Sequence, residues 1–66
     1  MNHHIFIINK IDLISGKLLE TCRWDFKEDA YKDFDEKSDL MEIDTIMVLI
    51  RDNRKSKKII SQRQRT

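Results

Sequence analysis

The sequence predicts an α+β fold: a small ββαββ domain with a four-stranded antiparallel sheet of order 2-1-3-4 and one helix on one face. Three observations carry this. Ile46-Met47-Val48-Leu49-Ile50 is a continuous apolar run ended by Arg51-Asp52-Asn53-Arg54, the pattern of a strand buried on both faces. Gly16, the only glycine, closes Asp12-Leu13-Ile14-Ser15-Gly16-Lys17. In such a hairpin the Asp bonds the backbone ahead of it and the Gly takes a positive φ. Between these two features, Phe26, Ala30, Tyr31 and Phe34 recur at three- and four-residue spacing, one stripe of a helix.

The first strand is expected from about His4 to Ile11. Alternation turns Ile5, Ile7 and Ile11 to one face and Phe6 and Ile8 to the other. Lys17–Trp24 forms the return strand. Strict alternation groups Leu18, Cys22 and Trp24 with Glu20 against Leu19, Thr21 and Arg23, a mixed polarity that suits an edge. Asp25 reads as the helix N-cap, with Glu28 completing a capping box. Glu28–Lys32 and Asp33–Lys37 form favourable pairs on the solvent side, and Ser38-Asp39 ends the helix near Lys37. About three turns cannot stand alone, so the helix needs the sheet. Leu40, Met41 and Ile43 lead into the third strand, 45–51. A polar loop of residues 52–57 follows, and the fourth strand runs from Lys58 to about Gln62. Residues 1–66 are expected to form one domain, and 63–66, with no apolar anchor, a frayed basic tail.

The strand order follows from burial. The first and third strands are the most apolar and belong at the centre, and a right-handed helical connection crossing the first strand keeps all neighbours antiparallel. Sixty-six residues bury only about 60% of the unfolded surface, so a chain this small usually needs outside help. Its single cysteine, Cys22, provides no internal disulfide. No run reaches the roughly 18–20 apolar residues of a membrane span, and the N-terminus lacks signal-peptide features. No membrane partner and a cytoplasmic location are expected.

Net charge is +1, but it is segregated. Residues 25–44 carry nine acids against Lys27, Lys32 and Lys37, a net of −6. Residues 45–66 carry seven bases against Asp52, a net of +6. Such asymmetry informs on partners rather than fold. Within the acidic stretch, Asp33, Asp35, Glu36 and Asp39 are the candidate protein-binding residues, a row that could imitate nucleic-acid phosphates toward a basic target. They lack the spacing and glycine of an EF-hand loop. In the basic segment, Arg51, Arg54, Lys55, Lys57 and Lys58 are the candidate phosphate-gripping residues. The five aromatic residues all precede it, and the one helix is acidic, so neither base stacking nor groove reading is available.

Chemistry is hard to find. His3 and His4 point to opposite sides of a strand, and with Cys22 they offer at most a two-ligand cluster, so no metal and no cofactor are expected. A Cys22 nucleophile would need a base, an orienting group and a pocket, for which a one-helix domain has little room. No glycine-rich phosphate loop is present. The expected function is a non-enzymatic protein-interaction module acting through an acidic helix and an apolar sheet face. The absence of proline, the single glycine and the abundance of Ile, Lys and Asp suggest an AT-rich genome, as in phages and mobile elements. Small size, no catalytic groups, an uncovered apolar face and the −6/+6 segregation then point to an inhibitor of a host or defence complex encoded by such an element. The alternative is a nucleic-acid-binding accessory protein using residues 51–58 and the C-terminal tail. A homodimer joining one copy's acidic helix to the other's basic loop is a further expectation. Strands one and three are apolar on both faces while one helix covers one face, which leaves a patch of the kind that marks interaction sites. Otherwise Leu13, Ile14 and the C-terminal segment must fold over it.

Overall fold

A computed structural model describes residues 4–66. The elements are β1 (Ile5–Asp12), β2 (Leu18–Trp24), α1 (Lys27–Asp39), β3 (Thr45–Asp52) and β4 (Lys57–Arg65). The sheet has order β2-β1-β3-β4 with all three pairings antiparallel, the expected ββαββ architecture. The radius of gyration is 11.9 Å and the shortest extent 15 Å, against a radius of about 11 Å for a rounded chain of this length. The molecule is a slab two layers thick.

The first turn forms as its residues dictate. Asp12 accepts hydrogen bonds from the Ile14 and Ser15 amides and, at 2.6 Å, from the Ser15 hydroxyl. Gly16 has φ +76°, where an L side chain is strained. The β3–β4 turn uses the same device twice: the Arg54 amide donates to Asp52, and the Lys55 and Ser56 amides donate to Asn53.

Beneath the helix lies a core of Phe6, Ile8, Ala30, Phe34, Met41, Met47 and Leu49, with Cys22, Trp24, Tyr31 and Ile60 packed against it. The register explains the membership. Phe6 lies opposite Trp24, Ile8 opposite both Cys22 and Leu49, and the odd residues of β3 share their side. The helix thus covers the Phe6/Ile8 face.

Both edge strands carry a bulge. The β1–β2 register shifts between Lys10 and Ile11, so Leu18 pairs with Ile11 while Glu20 pairs with Lys10. Leu18 therefore leaves the Cys22–Trp24 side on which strict alternation had placed it. The β3–β4 register shifts between Leu49 and Ile50, with Ile59 opposite Ile50 and Ser61 opposite Leu49. Ile60 is the extra residue and packs on the core.

Other boundaries also differ from expectation. The N-cap is Phe26 in an extended conformation, with no side-chain cap, so Asp25 lies one residue too early to cap. Phe26 is 68% exposed and lies off the buried stripe. The helix continues past Lys37 to Asp39, and its end is tied by the Leu40 and Met41 amides donating to Lys37 and Ser38 carbonyls. The 63–66 segment expected to fray instead carries β4 through Arg65, which pairs with Thr45.

Candidate functional site

Two surfaces could meet a partner: the outer side of α1 and the sheet face away from it. The helix surface comes first, because the structure divides its acids. Asp33 is not an outward contact. Its side chain is 17% exposed, accepts a 2.9 Å hydrogen bond from the Trp24 indole N–H and pairs with Lys37 at 3.0 Å. Lys37 also reaches Glu20, which pairs with Lys10. Burial pulls the Asp33 carboxyl upward, but the hydrogen bonds from Trp24 and Lys37 and the Lys37 charge prevail, and it lies below the ordinary carboxylate value. Burial lowers Lys37 in turn, and bonding to Asp33 outweighs it and holds the ammonium above its usual value. This chain of charges binds the helix to β1 and β2.

Asp35 is held on the opposite flank. Arg63 donates to its carboxylate at 2.8 Å and to the Ser38 hydroxyl at 2.7 Å, with its guanidinium over the Phe34 ring. Arg65 adds a 2.8 Å bond to the Met41 carbonyl. Part of the −6/+6 segregation is therefore satisfied inside the molecule. Arg63 and Arg65 alternate with Gln62 and Gln64, and that two-residue period was the sequence signal for a strand reaching across to the helix. Glu36 and Asp39 remain exposed, with no ion pair among the described residues, and Glu28 and Asp29 join them at the N-terminal turn.

The basic candidates cluster at one end of the sheet. Arg51 lies opposite Lys58 near the end of β3, Lys57 opens β4, and Arg54 and Lys55 sit in the turn, Arg54 at φ +75°. All five are exposed. Next to them lies a cleft of about 440 Å³ that the sequence did not suggest, lined by His4, Phe6, Phe26, Tyr31, Arg51 and Ile60, with Asp25 and Lys27. The uncapped start of the helix and the exposed Phe26 make its wall. The Nδ1 atom of His4 is buried without a hydrogen-bond partner among the described residues, and His3 lies outside them. Among the described residues no three His, Cys, Asp or Glu side chains gather as a metal site, and no helix is long and apolar enough to cross a membrane.

The second surface is the other side of the sheet. Ile5, Ile7, Ile11, Ile46, Val48 and Ile50 share it, extended by Leu18 and Ile59, which are 56% and 57% exposed. Among the described residues no second layer packs over it; its isoleucines on β1 and β3 are half-buried and Val48 is 8% exposed, shielded within the sheet's own surface. Leu13 and Ile14 stay exposed in the turn, and the C-terminal segment is the β4 edge. Compared with known proteins, the chain matches no family model, no curated protein and no solved structure.

Proposed function

We propose that this chain is a non-enzymatic protein-interaction module that acts through its apolar sheet face and the acidic outer side of α1. The observation that carries the reading is the uncovered face. Two central strands are apolar on both sides and the described residues provide one covering layer, so a half-buried patch of aliphatic surface remains, widened by the exposed Leu18 and Ile59, of the kind that marks an interaction site. On the helix, Glu36 and Asp39 are kept from the four acids read from the sequence, and Glu28 and Asp29 take the places of Asp33 and Asp35, whose carboxylates are bonded within the fold. A basic surface on a host or defence complex suits such a helix, and a phage or mobile element is the source that fits the composition.

Affinity capture from extracts of the producing cell and its hosts tests this with three forms of the chain: wild type, Ile7→Lys/Ile50→Lys and Glu36→Lys/Asp39→Lys. The expected result is one protein retained by the wild type and lost by Glu36→Lys/Asp39→Lys, while Ile7→Lys/Ile50→Lys loses whatever the sheet face holds, each with an unchanged circular dichroism spectrum. Equal retention by all three overturns the reading.

A second reading, nucleic-acid binding, is favoured by one observation: Arg51, Arg54, Lys55, Lys57 and Lys58 are exposed at one end of the sheet around a turn held by Asn53. A gel shift at low salt that disappears at high salt supports it. No shift with duplex or single strand at low salt removes it.

A further inference from the structure

We propose that the uncovered sheet face is the contact between two copies of this chain, packed sheet to sheet. The proposal rests on the interaction reading above and names the occupant of its apolar face. Register sets Ile7 beside Ile50 and Ile11 beside Ile46 at the centre of the face, with Asn9 and Val48 between the two pairs. For two sheets packed face to face with their strands aligned, the two-fold axis lies between them, either close to the strand direction or close to the perpendicular across them. An axis along the strands sets Ile7 against the copy's Ile50 and Ile11 against its Ile46. An axis across them sets Ile7 against the copy's Ile11 and Ile50 against its Ile46. Isoleucine meets isoleucine either way.

Charge points to the same occupant. The chain has 13 basic and 12 acidic residues among 66, yet among the described residues register brings only Arg23, Asp52 and Lys57 to this side of the strands, all at its rim. A face built for a charged partner would carry complementary charge nearer its centre, whereas an isologous contact sets each group against its own surface and is best left neutral there. Arg23 does not meet itself: the two axes place it over the copy's Ile59 or Leu18, where its stem can lie on aliphatic surface. Asn9 Oδ1 already accepts a 2.7 Å bond from the Thr21 hydroxyl, which lowers the cost of covering both.

Area is sufficient. Four strands about 4.8 Å apart, eight residues long at about 3.3 Å each, present roughly 500 Å² of face. Two faces bury about 1,000 Å², the lower bound for a specific interface, and protruding side chains raise that figure. The pairing also adds the third and fourth layers that a 66-residue chain with one helix lacks.

Sedimentation equilibrium of the full chain from low micromolar to submillimolar concentration, at low and at molar salt, tests the proposal. The wild type is expected at twice the chain mass, undiminished by salt. Ile50→Lys and Ile59→Lys each bury a charge at the contact and should weaken association roughly a hundredfold or more. Trp24 emission, which reports the covered side, should stay unchanged in both, and Glu36→Lys should remain dimeric. Ile59 is an exposed edge residue, so its variant keeps the test open if Ile50→Lys fails to fold. A wild type monomeric at every concentration overturns the pairing. So does a dimer that dissociates in molar salt, the signature of helix-to-turn ionic contact, or one that persists in both lysine variants. A monomeric wild type leaves the interaction reading to its own capture experiment, so the two can fail separately.

Discussion

On the covered side of the sheet, β1 and β3 present Phe6, Ile8, Met47 and Leu49; on the open side the same strands present Ile5, Ile7, Ile11, Ile46, Val48 and Ile50. The covered set is mostly unbranched at Cβ, with a methionine and an aromatic ring that reach and bend around Phe34 and Ala30. Such side chains suit the uneven gap between a cylinder and a twisted surface. The apolar residues of the open side are all β-branched, interrupted by Asn9 at the centre and ended by Asp52. Branched side chains hold one rotamer and stand close to the strand, which makes a flat and regular surface with little entropy left to lose on contact. One side is shaped to a helix, and the other is flat and regular.

The sharpest way to break this contrast is to empty each side in turn. Phe34 is 1% exposed, and Phe34→Ala should cost about 3–5 kcal/mol, comparable with the roughly 3–10 kcal/mol of stability that a chain this size can have. Urea titration should find the variant largely unfolded. Ile50→Ala on the half-buried open side should cost about 1 kcal/mol in dilute solution and more as concentration rises, if association protects it. Equal costs at low concentration would refute the asymmetry.

Next in size is Asp33→Ala, which leaves the Trp24 indole without its acceptor and Lys37 without its nearest carboxylate. About 1–3 kcal/mol should be lost, read as a lower urea midpoint together with a shift in Trp24 emission. Arg63→Ala, at the other flank, should cost about 1 kcal/mol, since its pair with Asp35 is well exposed and only the Ser38 bond is sheltered. Neither change should alter self-association, because both act on the covered side.

The smallest effect is on pH. Asp33 lies below the ordinary 3.8 in the folded chain, so its contribution is complete above that value and is lost as pH falls through the lower folded one. This group should therefore steepen the loss of stability in acid, followed at Trp24, and Asp33→Asn should flatten that limb. Lys37 is the mirror case. Its folded value lies above 10.5, so its contribution is present below 10.5 and disappears as pH rises past the folded value.

How much of this was legible in the residues depended on the range of the interaction. The Asp12–Gly16 turn, the isoleucine alternation and the strand order rest on neighbours in sequence or on plain burial, and they could be read directly. Asp33 could not, because its partner Trp24 lies nine residues away across the helix–sheet junction. Arg63 looked like tail because a segment without apolar residues gives no burial signal. Its anchors, Ser38 and Asp35, are 25 and 28 residues away. The cap failed for a simpler reason. Asp25 has the right chemistry at the wrong position, and the cleft beside the uncapped Phe26 went unseen with it. Both bulges were hidden because alternation carries no mark of an inserted residue.

One of those inserted residues acts as a reading-frame element for side chains. Ile60 offsets everything after it by one, which sends Arg63 and Arg65 toward the helix and Gln62 and Gln64 to the open side. Were Ile60 to pair as an ordinary strand residue, the two sets would exchange: two cations would stand on the neutral isoleucine surface, and the helix would lose both of its C-terminal ties at once. Deleting Ile60 instead removes the bulge and leaves Ser61 opposite Leu49 and Arg63 opposite Met47, so that deletion costs the Ile60 packing and keeps both sets in place.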